Sequence, residues 1–167
     1  MSSAWNHQNY AVAPDRLKQV EEAIDRLFGW AKFVSKPALI GYRIAEDFHA
    51  GAVYFQPAPA VEDLERALAR LGASDAGLGA ALSAIERLDV DLGDHSGVML
   101  PTVADWEACV SRAHELEHSR PDLEIRVLDV VRPGDPRAAT ADLHQAFIRI
   151  GLLGKVRNTL EVQARSR

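Results

Sequence analysis

The 167-residue chain contains a single cysteine, Cys109. No internal disulfide can form, which suits a reducing, cytoplasmic setting. A lone cysteine placed in mid-helix reads as a small core residue rather than a nucleophile. No run of about 18 apolar residues is present, so no membrane-spanning helix is expected. The first residues lack a basic segment followed by an apolar one, so no signal peptide is expected either. Basic stretches are missing too. With a net charge of −5 and only Arg165-Ser166-Arg167 as a basic tail, nothing stands ready to neutralise a phosphate backbone, and a nucleic-acid partner is not expected.

What is present is an ordinary globular composition, 47% apolar, arranged as two similar halves. Each half has an Asx-His dipeptide, Asn6-His7 and Asp94-His95, at the head of a short apolar strand. Each strand runs through a proline, Pro14 or Pro101, into an amphipathic helix. In the first half Leu17, Val20, Ile24, Leu27 and Phe28 are spaced three and four apart, and Gly29 ends the helix. Strands are expected at residues 32–35, 38–44 and 51–56, closed by Pro57 and Pro59. In the second half a helix over 103–118 carries Trp106, Cys109, Val110, Ala113 and Leu116 on one face. Strands follow at 123–131, 143–150 and 159–163. Helical pattern between the halves covers 61–71 and 80–88, and the small, polar stretch Gly72 to Gly79 reads as a hinge. The expected class is α+β: two βαβββ modules, residues 1–60 and 93–167, forming an open, curved mixed sheet around a cleft and joined by a helical linker, 61–92, as one structural domain. Such a unit covers one sheet face with its own helix and leaves the other open, and two open faces can make a cleft that houses chemistry.

In this order and spacing the chain resembles the vicinal oxygen chelate superfamily, which includes glyoxalase I, extradiol dioxygenases, methylmalonyl-CoA epimerase and the bleomycin- and fosfomycin-resistance proteins. The resemblance rests on Asn6-His7, on Leu27-Phe28-Gly29-Trp30 at the end of the first helix, on Asp94-His95, and on Asn158-Thr159-Leu160-Glu161. It implies metal ligands on the first and last strands of each module, here His7, Gln56, His95 and Glu161. It also implies a divalent ion (Zn, Ni, Fe or Mn), a small-molecule substrate and a homodimer, with the cleft built either within one chain or between two. Strand alternation sets all four side chains on the faces away from the helices. Gln56 departs from the carboxylate that glyoxalase-like members often carry. A neutral amide ligates weakly and cannot act as a base. Two His and one Glu resemble the extradiol triad; with Gln56 added, the set looks more like a glyoxalase-type Zn or Ni centre.

The remaining polar residues divide by strand parity. Tyr54, Phe147 and Arg149 fall on cleft parity as candidates for binding substrate, Arg149 for an acidic one; Arg43 and Arg126 are similar and weaker candidates. His49 and His144 each precede a strand and read as exposed loop residues, Glu161 taken alone as a solvated carboxylate. His114 and His118 suit a helix C-terminus, and Trp5, Trp30 and Trp106 suit packing. The expected function is a metal-dependent enzyme in which two neighbouring substrate oxygens chelate the ion, with Glu161 shuttling a proton. Isomerase or lyase chemistry and ring-cleaving dioxygenation both remain open. A metal-free drug-binding or resistance protein using the same cleft is the alternative, though a cationic drug would call for more aromatic residues than the 7% present.

Overall fold

The structure is a computed structural model that describes residues 7–44, 51–86, 95–154 and 159–166. Trp5, Asn6, His49, Asp94, Asn158 and the linker beyond Glu86 lie outside the described residues. The first module runs β1 (His7–Val12), α1 (Leu17–Phe28), β2 (Ala31–Lys36), β3 (Leu39–Arg43) and β4 (Ala52–Pro57). Two helices follow, α2 (Pro59–Ser74) and α3 (Ala76–Glu86). The second module runs β5 (His95–Met99), α4 (Val103–Ser119), β6 (Ile125–Val131), β7 (Leu143–Ile150) and β8 (Thr159–Arg165). Each module forms a four-stranded sheet, in the orders β1-β4-β3-β2 and β5-β8-β7-β6. The first strand pairs in parallel with the last, and the other pairs are antiparallel.

Local chemistry accounts for the elements. In α1 the stripe Leu17, Val20, Ala23, Ile24 and Leu27 is buried. Gly29 closes the helix at φ 62°, a left-handed conformation that costs glycine no Cβ clash, and its N–H donates to the Asp25 carbonyl. Thr102 caps α4: its Oγ1 accepts from the Asp105 N–H at 3.1 Å and donates to Asp105 Oδ2 at 2.7 Å. The Trp106 indole is fully buried and donates to the Val162 carbonyl at 2.9 Å, fastening α4 to β8.

One apolar core spans both modules. Val20, Ile24 and Leu27 of α1 belong to the same buried cluster as Trp106, Cys109 and Val110 of α4. Polar ties cross the same junction. Arg112 Nε donates to the Leu27 carbonyl at 2.9 Å, and the Arg120 guanidinium grips Glu22 of α1 while also bonding Asp122. Cys109 is fully buried, and that burial pushes its thiol up to about 11.

The connecting segment differs from the sequence expectation. Pro59 starts α2 instead of closing a strand block, and helix continues through Gly72. The break is confined to Asp75, whose Oδ1 accepts from the Leu78 N–H at 2.9 Å and so starts α3. The two glycines allow contact between the helices: a Cβ on Gly79 would sit 2.6 Å from the Gly72 carbonyl oxygen. Their composition suggested a hinge because composition does not distinguish a flexible joint from a close crossing.

Candidate functional site

The register of each sheet converts the open face into rows of side chains, since residues directly opposite one another share a face. In module two the first row is Arg126, Arg149, Thr159 and His95. The second row is Asp129, Phe147, Glu161 and Gly97, and the third is Val131, Gln145, Gln163 and Met99. In module one the matching first row is Ala31, Arg43, Ala52 and His7, and the second is Val34, Gly41, Tyr54 and Asn9. His7 and His95 therefore occupy equivalent places. The partner of Glu161 in module one is Tyr54, not Gln56 as the sequence reading had it. Gln56 stands opposite Ala11, one step along, and is the equivalent of Gln163.

The side chains meet at Glu161. Its carboxylate is buried, 7% exposed, rather than solvated. Oε1 accepts from two amides, Gln145 Nε2 and Gln163 Nε2, each at 2.6 Å. Oε2 lies 3.3 Å from His95 Nε2. A buried carboxylate needs such partners to offset lost hydration, and here they fix its orientation as well. The Phe147 ring stands edge-on to His95, with centroids 5.5 Å apart. Gly97 faces Oε2 without a side chain; a Cβ there would come into van der Waals contact with that oxygen at 3.7 Å. The loop after β6 reaches over the third row: the Ala139 N–H approaches Gln145 Oε1 at 3.5 Å, and Arg137 pairs with Asp129 at 2.5 Å.

Module one presents a different face. His7 packs edge-on against Tyr54 at 5.8 Å, Phe33 packs against the same tyrosine at 5.6 Å, and Asn9 Nδ2 donates to Gln56 Oε1 at 3.5 Å. Among the described residues no three His, Cys, Asp or Glu side chains converge. The structure thus joins His95 with Glu161, without a three-residue group that includes His7 among the described residues. Both histidines do border one cavity of about 440 Å³, together with Tyr10, Trp30, Val53 and Val98; Glu161 is not part of its lining.

His144 is another departure. It lies within β7 at 9% exposure, its Nε2 bonded to Ser166 Oγ at 2.9 Å, rather than in an exposed loop. Gln145 was the residue sequence reasoning missed. The signal was available: an amide on cleft parity in β7, two positions from Phe147.

No protein-family model matches the chain, and no curated protein matches it in sequence. Solved structures do match in shape. A lactoylglutathione lyase from Agrobacterium tumefaciens is similar over 98% of this chain and 94% of that one, with a TM-score of 0.53 at 14% identity. A glyoxalase/bleomycin resistance protein/dioxygenase family enzyme from Burkholderia phytofirmans PsJN gives 0.53 at 11% identity, covering 98% and 100%. The fosfomycin resistance protein FosX from Listeria monocytogenes gives 0.55 at 7% identity, covering 99% and 96%. The chain has the vicinal oxygen chelate fold. In that fold the duplicated His rows lie on the open faces of two βαβββ modules, and module two adds the carboxylate. No helix among the described residues is long and apolar enough to cross a membrane.

Proposed function

We propose that this vicinal oxygen chelate protein is a metal-dependent enzyme acting on a small molecule, with lyase, isomerase or dioxygenase chemistry. The carrying observation is the His95–Glu161 pair. Two donors each about 2.0–2.2 Å from a zinc-like ion stand roughly 3.0–3.4 Å apart when they occupy neighbouring coordination positions, and the observed separation is 3.3 Å. The donor types, imidazole and carboxylate, suit Zn, Ni, Fe or Mn. His95 and Glu161 would hold the ion, with His7 as third ligand and Gln56 as a weaker fourth.

His7 belongs to a separate open face, so the proposal includes a homodimer in which a second copy presents that face. The exposure of Met99 and Phe33 on these sheets supports such a partner. The bound ion would supply Lewis-acid stabilisation of an enolate or oxyanion. The chain's own residues then have defined work. Gln145 and Gln163 hold Oε1, leaving Oε2 of Glu161 to take and return a proton. Phe147, Arg149 and Tyr54 line the path of the substrate. The lone cysteine, buried and protonated, supports a cytoplasmic home.

The alternative, a metal-free protein that sequesters a drug, draws support from the lack of a converging triad among the described residues. Elemental analysis after purification without chelator separates the two. The proposal expects near-stoichiometric metal, lost in His95→Ala and reduced in His7→Ala, with a dimer by sedimentation. Less than about a tenth of an equivalent in the native protein would sink it.

A further inference from the structure

The buried stripe of α4, from Trp106 to Leu116, faces the core and leaves the opposite side of the helix in solvent. The last turns read His114-Glu115-Leu116-Glu117-His118. Leu116 is buried, while His114, Glu115 and His118 are exposed. Residues four apart on a helix are neighbours, with Cβ atoms about 5–6 Å apart. The two imidazoles therefore share one patch. Their spacing is the one by which a helix presents two histidines to a zinc ion.

The ring contacts favour ligation. His118 Nδ1 lies 2.7 Å from the His114 carbonyl oxygen. A carbonyl only accepts, so in the neutral ring the proton sits on Nδ1 and the Nε2 lone pair is left bare. The same bond draws the His118 ring back over the turn that carries His114. His114 turns its own Nδ1 toward Glu117, whose Oε2 is 4.0 Å away. That oxygen is fixed in turn, because it accepts from the Val127 N–H of β6 at 3.3 Å. Each imidazole thus has an oxygen behind Nδ1, the support by which a metal-binding histidine is oriented.

The surrounding charge suits a cation. The pair stands in the last turns of α4, where the helix dipole is negative, and Glu115 and Glu117 flank it. Arg112 and Arg120, the arginines of this part of the chain, are held by the Leu27 carbonyl, Glu22 and Asp122. We infer that His114 and His118 form a second divalent-metal site, on the outer side of α4. It takes Zn, Ni or Cu through the two Nε2 atoms. No third protein donor joins them among the described residues, so water completes the coordination. The module-two sheet separates this site from His95, since α4 covers the face opposite the open one. The inference does not depend on the reading of His95 and Glu161.

An ion with two protein donors exchanges readily, so the site is loaded by adding zinc chloride to the purified protein. Long-range proton–nitrogen NMR of the histidine rings, at mildly alkaline pH, follows the titration. Before metal is added, His118 should show the Nδ1–H tautomer. Zinc should then shift the Nε2 resonances of His114 and His118 together and saturably, in native and His95→Ala protein alike. His114→Ala and His118→Ala should each weaken binding about tenfold or more, and nickel and copper should bind more tightly than zinc. Both positions are exposed and alanine favours a helix, so the variants should keep the fold. An Nε2–H tautomer at His118, a response from one ring alone, or native affinity in His118→Ala would overturn the inference. So would loss of the response in His95→Ala, which would assign the ion to the open face. The site at His95 and Glu161 is judged by the metal that the protein retains on purification, so either reading can fail without the other.

Discussion

At the scale of single residues, the decisive arrangement is the holding of Glu161 by two glutamines. Gln145 and Gln163 both donate to one oxygen, and His95 faces the other. Removing one donor leaves a buried charge with less compensation. Gln145→Met should therefore cost about 1–3 kcal/mol of stability. The same change made in a Glu161→Leu background should cost far less, because the acceptor is gone. Urea unfolding of the four proteins forms the cycle that checks this. The sequence made His95 and Glu161 visible because each is a polar residue at a strand position of definite parity. It did not make their contact visible, because that depends on which residue of β8 lies beside β5. The same limit explains Gln56. Parity places Tyr54 and Gln56 on one face alike; only the pairing His7 with Ala52 puts Tyr54 at the level of Glu161.

At the scale of elements, helices α1 and α4 were legible because apolar spacing and end signals agree, Gly29 closing one and Thr102 opening the other. The α2–α3 pair was not, since Gly72 and Gly79 have one meaning in a loop and another in a crossing. The geometry gives unequal expectations for the two. Alanine generally favours a helix over glycine by about 1 kcal/mol. Gly79→Ala should nevertheless lower the melting temperature, because its methyl would meet the backbone oxygen of Gly72 at 2.6 Å. Gly72→Ala meets first the flexible end of Leu82, at 3.1 Å, and should be nearly neutral. Calorimetry of the two variants checks the contrast. If Gly79→Ala proved the more stable variant, the helices would not cross where the structure has them.

At the scale of the whole molecule, the modules share a core and a set of charged ties, so their stability should respond to pH as one body. Arg120 holds Glu22 below its ordinary 4.5 and Asp122 below its ordinary 3.8. A carboxyl depressed by folding contributes stability above its unfolded value, and this is lost as pH falls through the folded one. Acid should thus weaken the junction below about pH 4.5, and Arg120→Ala should flatten that limb. Cys109 works in the opposite direction. Its thiol is raised from 9.0 to about 11, so its contribution is complete below pH 9 and is lost as pH climbs through 11; Cys109→Ala should remove that alkaline loss. Urea midpoints from pH 3 to 11 measure both limbs. Of this scale the sequence disclosed the repeat but not the junction, because nothing in the pattern of one helix says which other helix it will lie against.

The register also bears on how readily this molecule could be given a second site. Module one already holds His7 and Arg43 in the places of His95 and Arg149, and Gln56 in the place of Gln163. Tyr54 stands for Glu161. Two residues before Gly41, as Gln145 is two before Phe147, stands Leu39. A carboxylate at position 54 and an amide at position 39 would restore only the glutamine-held carboxylate, since Gly41 and Asn9 stand where module two has Phe147 and Gly97. The unequal halves therefore differ at four positions around this centre, and the pairing records which half carries the buried carboxylate.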